Sequence, residues 1–67
     1  MGKIIKTELV EKYIDGKGIV KSEFCRRCGI TPVEFGRLMS GDGRVRLVTI
    51  DRVARVIGID VRSLLCG

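Results

Sequence analysis

The stretch Gly29-Ile30-Thr31-Pro32-Val33-Glu34 constrains the fold of this chain more tightly than any other. Thr31 offers a side-chain oxygen to cap a helix, and Pro32 suits the first turn, where a missing N–H costs nothing. Glu34 stands three residues after the cap, where its carboxylate can reach back to the cap's own N–H. These residues predict a helix starting at Thr31-Pro32. Phe35 and Leu38 give it a buried side, and Gly41 stands where a left-handed residue ends a helix, so about nine residues are helical.

Other glycines punctuate the rest of the chain into short periodic segments. Ile5, Leu9 and Tyr13, with Val10 and Ile14 beside them, predict a helix over roughly 3 to 15, ended by Gly16 and Gly18. Phe24, Cys25 and Cys28 lie three and four apart on a second helix that starts near Val20 and stops at Gly29. Its start has two versions: Glu23 fits a capping box whose cap is Val20, which has no oxygen to offer, or the helix begins later, at Ser22. Asp42-Gly43 opens a loop carrying Arg44 and Arg46. Ile50, Val53, Ala54 and Ile57 then mark a fourth helix, with Thr49 as its cap and Gly58 as its stop. Asp51 in its first turn and Arg55 in its last complement the helix dipole. Asp60 caps a final short helix whose apolar residues are Val61, Leu64 and Leu65. The expected fold is all-α, a single domain over residues 1–67.

A chain this short buries only about 60% of its unfolded surface, so a second subunit or a nucleic acid is expected to add stability. Its 13 Lys+Arg against 8 Asp+Glu give a net charge of +5. From Arg44 onward stand five Arg and two Asp, so +3 of that surplus lies in the last third. Clustered guanidinium groups suit phosphate oxygens, whose contact releases condensed counterions. No apolar run approaches the roughly 18 residues of a membrane span, and the N-terminus lacks a signal-peptide core. A cytoplasmic, nucleoid-associated location is expected, with no membrane partner.

Two short helices joined by Gly29-Ile30-Thr31 form a helix-turn-helix arrangement over about residues 20–41, with Gly29 permitting the turn and Ile30 plugging the angle between the helices. The segments Glu23-Phe24-Cys25-Arg26-Arg27-Cys28-Gly29-Ile30-Thr31 and Phe35-Gly36-Arg37-Leu38-Met39-Ser40-Gly41 resemble the Cro/repressor (XRE-type) helix-turn-helix family. Thr49-Ile50-Asp51-Arg52-Val53-Ala54-Arg55-Val56-Ile57-Gly58-Ile59 extends the resemblance, which covers roughly residues 4 to 65. It implies a compact five-helix, lambda-repressor-like DNA-binding domain of a bacterial or phage regulator, with the third helix in the major groove and the second across the backbone. By position it places Pro32, Val33, Gly36 and Arg37 against base edges. Lys21, Thr31, Arg44 and Arg46 fall where family members touch phosphate, with Ser40 as a further candidate.

The helical period supports part of this independently, since Phe35 and Leu38 point inward and leave Val33, Gly36 and Arg37 on the outer arc. A guanidinium can bond guanine O6 and N7 together, and valine can pack on a thymine methyl. Family members often carry polar side chains where this chain has Pro32, Val33 and Gly36, so direct readout is sparse. Specific binding exceeds nonspecific binding by about 4 to 10 kcal/mol, more than one Arg and one Val supply. A homodimer on a palindromic site meets that demand, and Val61, Leu64, Leu65 and Cys66 are the expected apolar interface. Core packing of the last helix is the competing use of those residues.

Cys25-Arg26-Arg27-Cys28 has the spacing of redox sites and zinc knuckles. Zinc wants four ligands, and the chain has no His and only Cys66 besides, so no metal site and no cofactor are expected. Core packing of both thiols is the simpler reading, while a thiol redox-sensing regulator through Cys25/Cys28 is the sharper one. No arrangement of nucleophile, base and oxyanion donors is present, so no catalytic residues are expected, and no small-molecule ligand is evident. The rival to DNA binding is a small protein-interaction module of the same fold, such as an antitoxin or anti-repressor. The short chain favours a bare Cro-like repressor over a ligand-gated one.

Overall fold

Three glycines at positive φ divide the chain into its helices. The computed structural model describes residues 5–40 and 45–65, and these form α1 (Thr7–Lys17), α2 (Lys21–Cys28), α3 (Pro32–Ser40), α4 (Leu47–Ile57) and α5 (Val61–Leu64). The architecture is all-α. Gly18, Gly29 and Gly58 have φ of 65, 72 and 91°, a left-handed region that strains a residue bearing Cβ. From there the chain bonds back to the helix it leaves: Gly18 N donates to Ile14 O at 3.0 Å, Ile30 N to Cys25 O at 3.1 Å and Gly58 N to Ala54 O at 2.8 Å. Carbonyls that a helix end leaves without partners are thereby satisfied. The expected stop at Gly41 and the loop at Asp42-Gly43 lie outside the described residues.

A single cluster of buried side chains joins all five helices. Phe24 is fully buried at its centre, its ring 5.8 Å from Tyr13 on one side and 5.8 Å from Phe35 on the other, tilted by 59° and 67°. Such edge-on aromatic pairs add to the burial of apolar area. Val10 and Ile14 reach this core from α1, Leu38 from α3, Val53 and Ala54 from α4, and Leu64 from α5.

Several expectations are corrected. The first helix begins at Thr7, not near residue 3, and runs to Lys17, ending at Gly18. Ile5 matches the spacing of Leu9 and Tyr13, but it enters the core from an extended segment that forms an antiparallel bridge with Leu65, with Lys6 N donating to Leu64 O at 2.8 Å. The second helix uses Val20 as its cap despite the missing oxygen. Instead of reaching back to that cap, Glu23 is held by Arg26 at 2.7 Å and Arg27 at 3.0 Å.

The fourth helix starts at Leu47, so Thr49 is not its cap, and Asp51 lies beyond the first turn, paired with Arg55 at 3.0 Å. Thr49 is instead only 1% exposed, and its hydroxyl donates to Glu34 Oε2 at 3.0 Å. Leu64 is 0% exposed and belongs to the core, not to an outward face. Asp60 does cap the last helix, accepting from Arg62 N at 2.8 Å.

The capping box on α3 forms as expected: Glu34 N donates to Thr31 Oγ1 at 3.1 Å, and Thr31 N donates to Glu34 Oε1 at 3.0 Å. With Thr49 on its second oxygen, the Glu34 carboxylate ties the start of α3 to α4. A second tie runs from Arg52 Nη1 on α4 to Gly29 O at 2.8 Å, at the turn between α2 and α3.

Two outcomes follow for stability. The Thr31 N–H, then the Thr49 hydroxyl, hold the Glu34 carboxyl below the usual carboxylate range, and Arg26 with Arg27 does the same for Glu23. A carboxyl lowered in the folded state contributes stability above its unfolded pKa and loses it as pH falls through the folded one. The thermal midpoint is therefore level near neutrality and falls below about pH 4.5, with a shallower acid limb in Glu34→Gln. A midpoint unchanged from neutral pH to pH 3 contradicts this, the test pH lying about one unit or more below the unfolded carboxyl pKa. Arg52→Ala costs about 1 kcal/mol in urea unfolding, and Arg52→Lys does not restore it in full, because the single ammonium lacks the planar reach of guanidinium.

Candidate functional site

Helix α3 is nine residues long, and its inner side is spent on Phe35 and Leu38, 7% and 0% exposed. A 3.6-residue repeat then turns Pro32, Val33, Gly36, Arg37 and Ser40 outward, and all five are exposed. Val33 is 64% exposed, which is unusual for a large aliphatic side chain on an otherwise well-packed helix.

Beside this face runs an open cleft of about 370 Å³, lined by Thr31, Val33, Glu34 and Arg37 from the start of α3 and by Val45 and Arg46 before α4. Four of the expected site residues meet there: Val33 and Arg37 from the base-facing set, Thr31 and Arg46 from the phosphate-facing set. Arg44 lies outside the described residues.

The described arginines fall into two groups. Arg26 and Arg27 share Glu23, Arg55 pairs with Asp51, Arg62 stands 3.8 Å from Asp60, and Arg52 holds the Gly29 carbonyl. Among the described residues only Arg37 and Arg46 have no hydrogen-bond or ion-pair partner for their guanidinium groups, and both line the same cleft. Among the described arginines, intramolecular partners thus engage every guanidinium except the two that line this cleft. The cleft also holds one carboxylate, Glu34, but its two oxygens accept from Thr31 N and the Thr49 hydroxyl, and the nearby Arg46 charge further favours its ionised form.

Geometry sorts the remaining candidates. Thr31 accepts from Glu34 N through its hydroxyl oxygen, so its own proton is left to donate to an anion. Ser40 already gives its hydroxyl proton to Arg37 O at 2.9 Å. Lys21 lies apart from the cleft, in a groove shared with Glu11 and Asp15 of α1.

Sequence reasoning missed the part played by four residues. Thr49 and Arg52 act across 15 and 23 residues of chain, and no local spacing signals such contacts. Leu47 and Val48 are 67% and 51% exposed in the first turn of α4, beside Arg46. The helix starts three residues earlier than expected, with Arg46 in place of Thr49 at its cap, which brings both residues into its first turn.

The expected interface over Val61, Leu64, Leu65 and Cys66 is largely consumed by the fold. Leu64 is in the core, Val61 and Leu65 are half-buried against it, Leu65 bridges to Ile5, and Cys66 lies outside the described residues. Cys25 and Cys28 are both buried and unpaired. Burial pushes both thiols up, Cys28 to about 11, so both are protonated near neutral pH and pack as small apolar groups. Among the described residues no group of His, Cys, Asp and Glu is arranged to hold a metal ion, and no helix is long and apolar enough to cross a membrane.

Set against known proteins, the chain matches no family model, no curated protein and no solved structure.

Proposed function

We propose that this chain binds double-stranded DNA through the outer face of α3 and regulates transcription as a Cro-like repressor. The observation that carries this reading is the pair of partnerless guanidinium groups, Arg37 and Arg46, on one cleft beside the exposed Val33. In this reading α2, the turn at Gly29-Ile30 and α3 act as the helix-turn-helix of a lambda-repressor-like domain, with α3 lying in the major groove. Arg37 bonds a guanine edge, while Arg46, Thr31 and Arg44 hold phosphates and fix the depth of the helix. The Arg52 bond to the turn and the Glu34 bond to Thr49 keep α3 at a set angle on α4, so that base contacts need little reordering on binding.

One guanidinium and one valine supply only part of the 4 to 10 kcal/mol or so that separates specific from nonspecific binding, so two copies act together on a two-fold symmetric site. Leu47 and Val48, exposed beside the cleft, favour a second reading: a protein partner that presents acidic and apolar groups to this same face, as for an antitoxin or anti-repressor.

Salt separates the two. DNA binding loses affinity with a log-log slope of about −0.9 per phosphate neutralised, whereas a protein interface responds far less. In equilibrium titrations Arg46→Ala weakens all duplexes alike and reduces the slope by about 1, and Arg37→Ala costs about 1 to 3 kcal/mol on the preferred duplex while relaxing preference at one position. Folded variants that leave duplex affinity untouched overturn the assignment.

A further inference from the structure

Gly36 is the fifth of the nine residues of α3, where glycine is the costliest residue apart from proline. Nothing in the fold asks for it. Its φ is not among the positive ones, and a Cβ built there meets no atom within 4 Å. Gly16 also has open space, but it lies in the last turn of α1, where a helix frays in any case. An exposed mid-helix glycine that neither a turn nor a close neighbour requires leaves a notch in the outer face.

The walls of that notch are set by helical spacing. Val33 stands three residues before Gly36 and four before Arg37, so the three are neighbours on one face. Along that face Val33 is the apolar neighbour and Arg37 the cationic one, with bare backbone at Gly36 between them; no Val33 atom comes within 4 Å of where a Gly36 Cβ would stand, so the gap is wider than that single carbon. Arg37 carries its charge beyond the notch into the cleft. The gap is open to solvent and bordered by a donor fork with no partner among the described residues.

Given the DNA-binding reading on which it rests, we propose that the notch between Val33, Gly36 and Arg37 receives the C5-methyl group of a pyrimidine, thymine or 5-methylcytosine, close to the guanine that Arg37 bonds. In the major groove the C5-methyl is the one apolar group that base edges present. It stands on the same ring position in both pyrimidines. The chain is thereby a reader of the methyl mark as well as of thymine.

The test takes the strongest duplex selected from a random-sequence pool and, at the one pyrimidine position where removing the C5-methyl matters, sets thymine against uracil opposite adenine, and 5-methylcytosine against cytosine opposite guanine. The wild-type chain binds the methylated member of each pair about fourfold more tightly per notch occupied, as burial of one methyl group allows. Gly36→Ala fills the notch: its thermal midpoint rises by about 4 °C, since alanine favours the helix, while the methyl preference disappears. Val33→Ala narrows the preference to less than about twofold with an unchanged salt slope, because it removes apolar wall and no charge.

Equal affinity of the wild type for thymine and uracil duplexes overturns the inference and leaves DNA binding intact, as does a methyl preference that survives in Gly36→Ala. Preference for thymine over uracil without preference for 5-methylcytosine over cytosine overturns the methyl-mark arm. Failure to bind any duplex overturns this inference and the reading beneath it together.

Discussion

The carboxylate of Glu34 is the joint on which the rest of this structure turns. One oxygen closes the N-terminus of α3 by accepting from Thr31 N, and the other accepts from the buried hydroxyl of Thr49 on α4. The same group that starts a helix therefore also fixes where that helix lies. Without it, Thr49 would bury a hydroxyl lacking its partner, and the first turn of α3 would lose its anion. The arrangement also settles the electrostatics of the outer face. A helix N-terminus attracts anions, but here an internal carboxylate already occupies that position. Affinity for external anions is thereby handed to side chains, Arg37 and Arg46, whose reach is set by the helix and the turn that carry them.

Charge on this chain is distributed by pairing as much as by composition. Glu23 holds two arginines, Asp51 one, and the Gly29 carbonyl another, all on exposed surface where each pair is worth little for stability. Their collective effect lies elsewhere: among the described arginines they leave only the two that line the cleft without a partner. Concentrating unpaired guanidinium groups on one face gives the surface a direction, which matters for steering a long anionic partner.

Local signals were legible in the sequence and distant ones were not. Thr31, Pro32 and Glu34 announce α3 because a capping box is complete within four residues, and Gly18, Gly29 and Gly58 stand at the left-handed ends of three helices. Phe24, Phe35 and Leu38 were readable as core from spacing alone. Thr49 misled because a threonine before an apolar run looks like a cap, whereas its hydroxyl serves a carboxylate on another helix. Ile5 misled because an extended residue that reaches the core can fall in register with a helical stripe. Leu64 reads equally as core or as interface until its neighbours are known. The outward side of α3 followed from its inward side, and so did its exposed residues, but the cleft they share with Val45 and Arg46 required the placement of α4.

The bridge between Ile5 and Leu65 has a kinetic meaning. Each of the helices and the α2–α3 turn closes contacts between residues near in sequence, and such contacts form early at low entropic cost. The clasp that joins the segment before α1 to the residue after α5 closes a loop around almost the entire described chain, and that closure is the most expensive in entropy. It is offset only once Ile5 and Leu64 are seated in a core already assembled. Opening that clasp therefore frees the segment before α1 and the end of α5 together, since the hydrogen bond between them belongs to both.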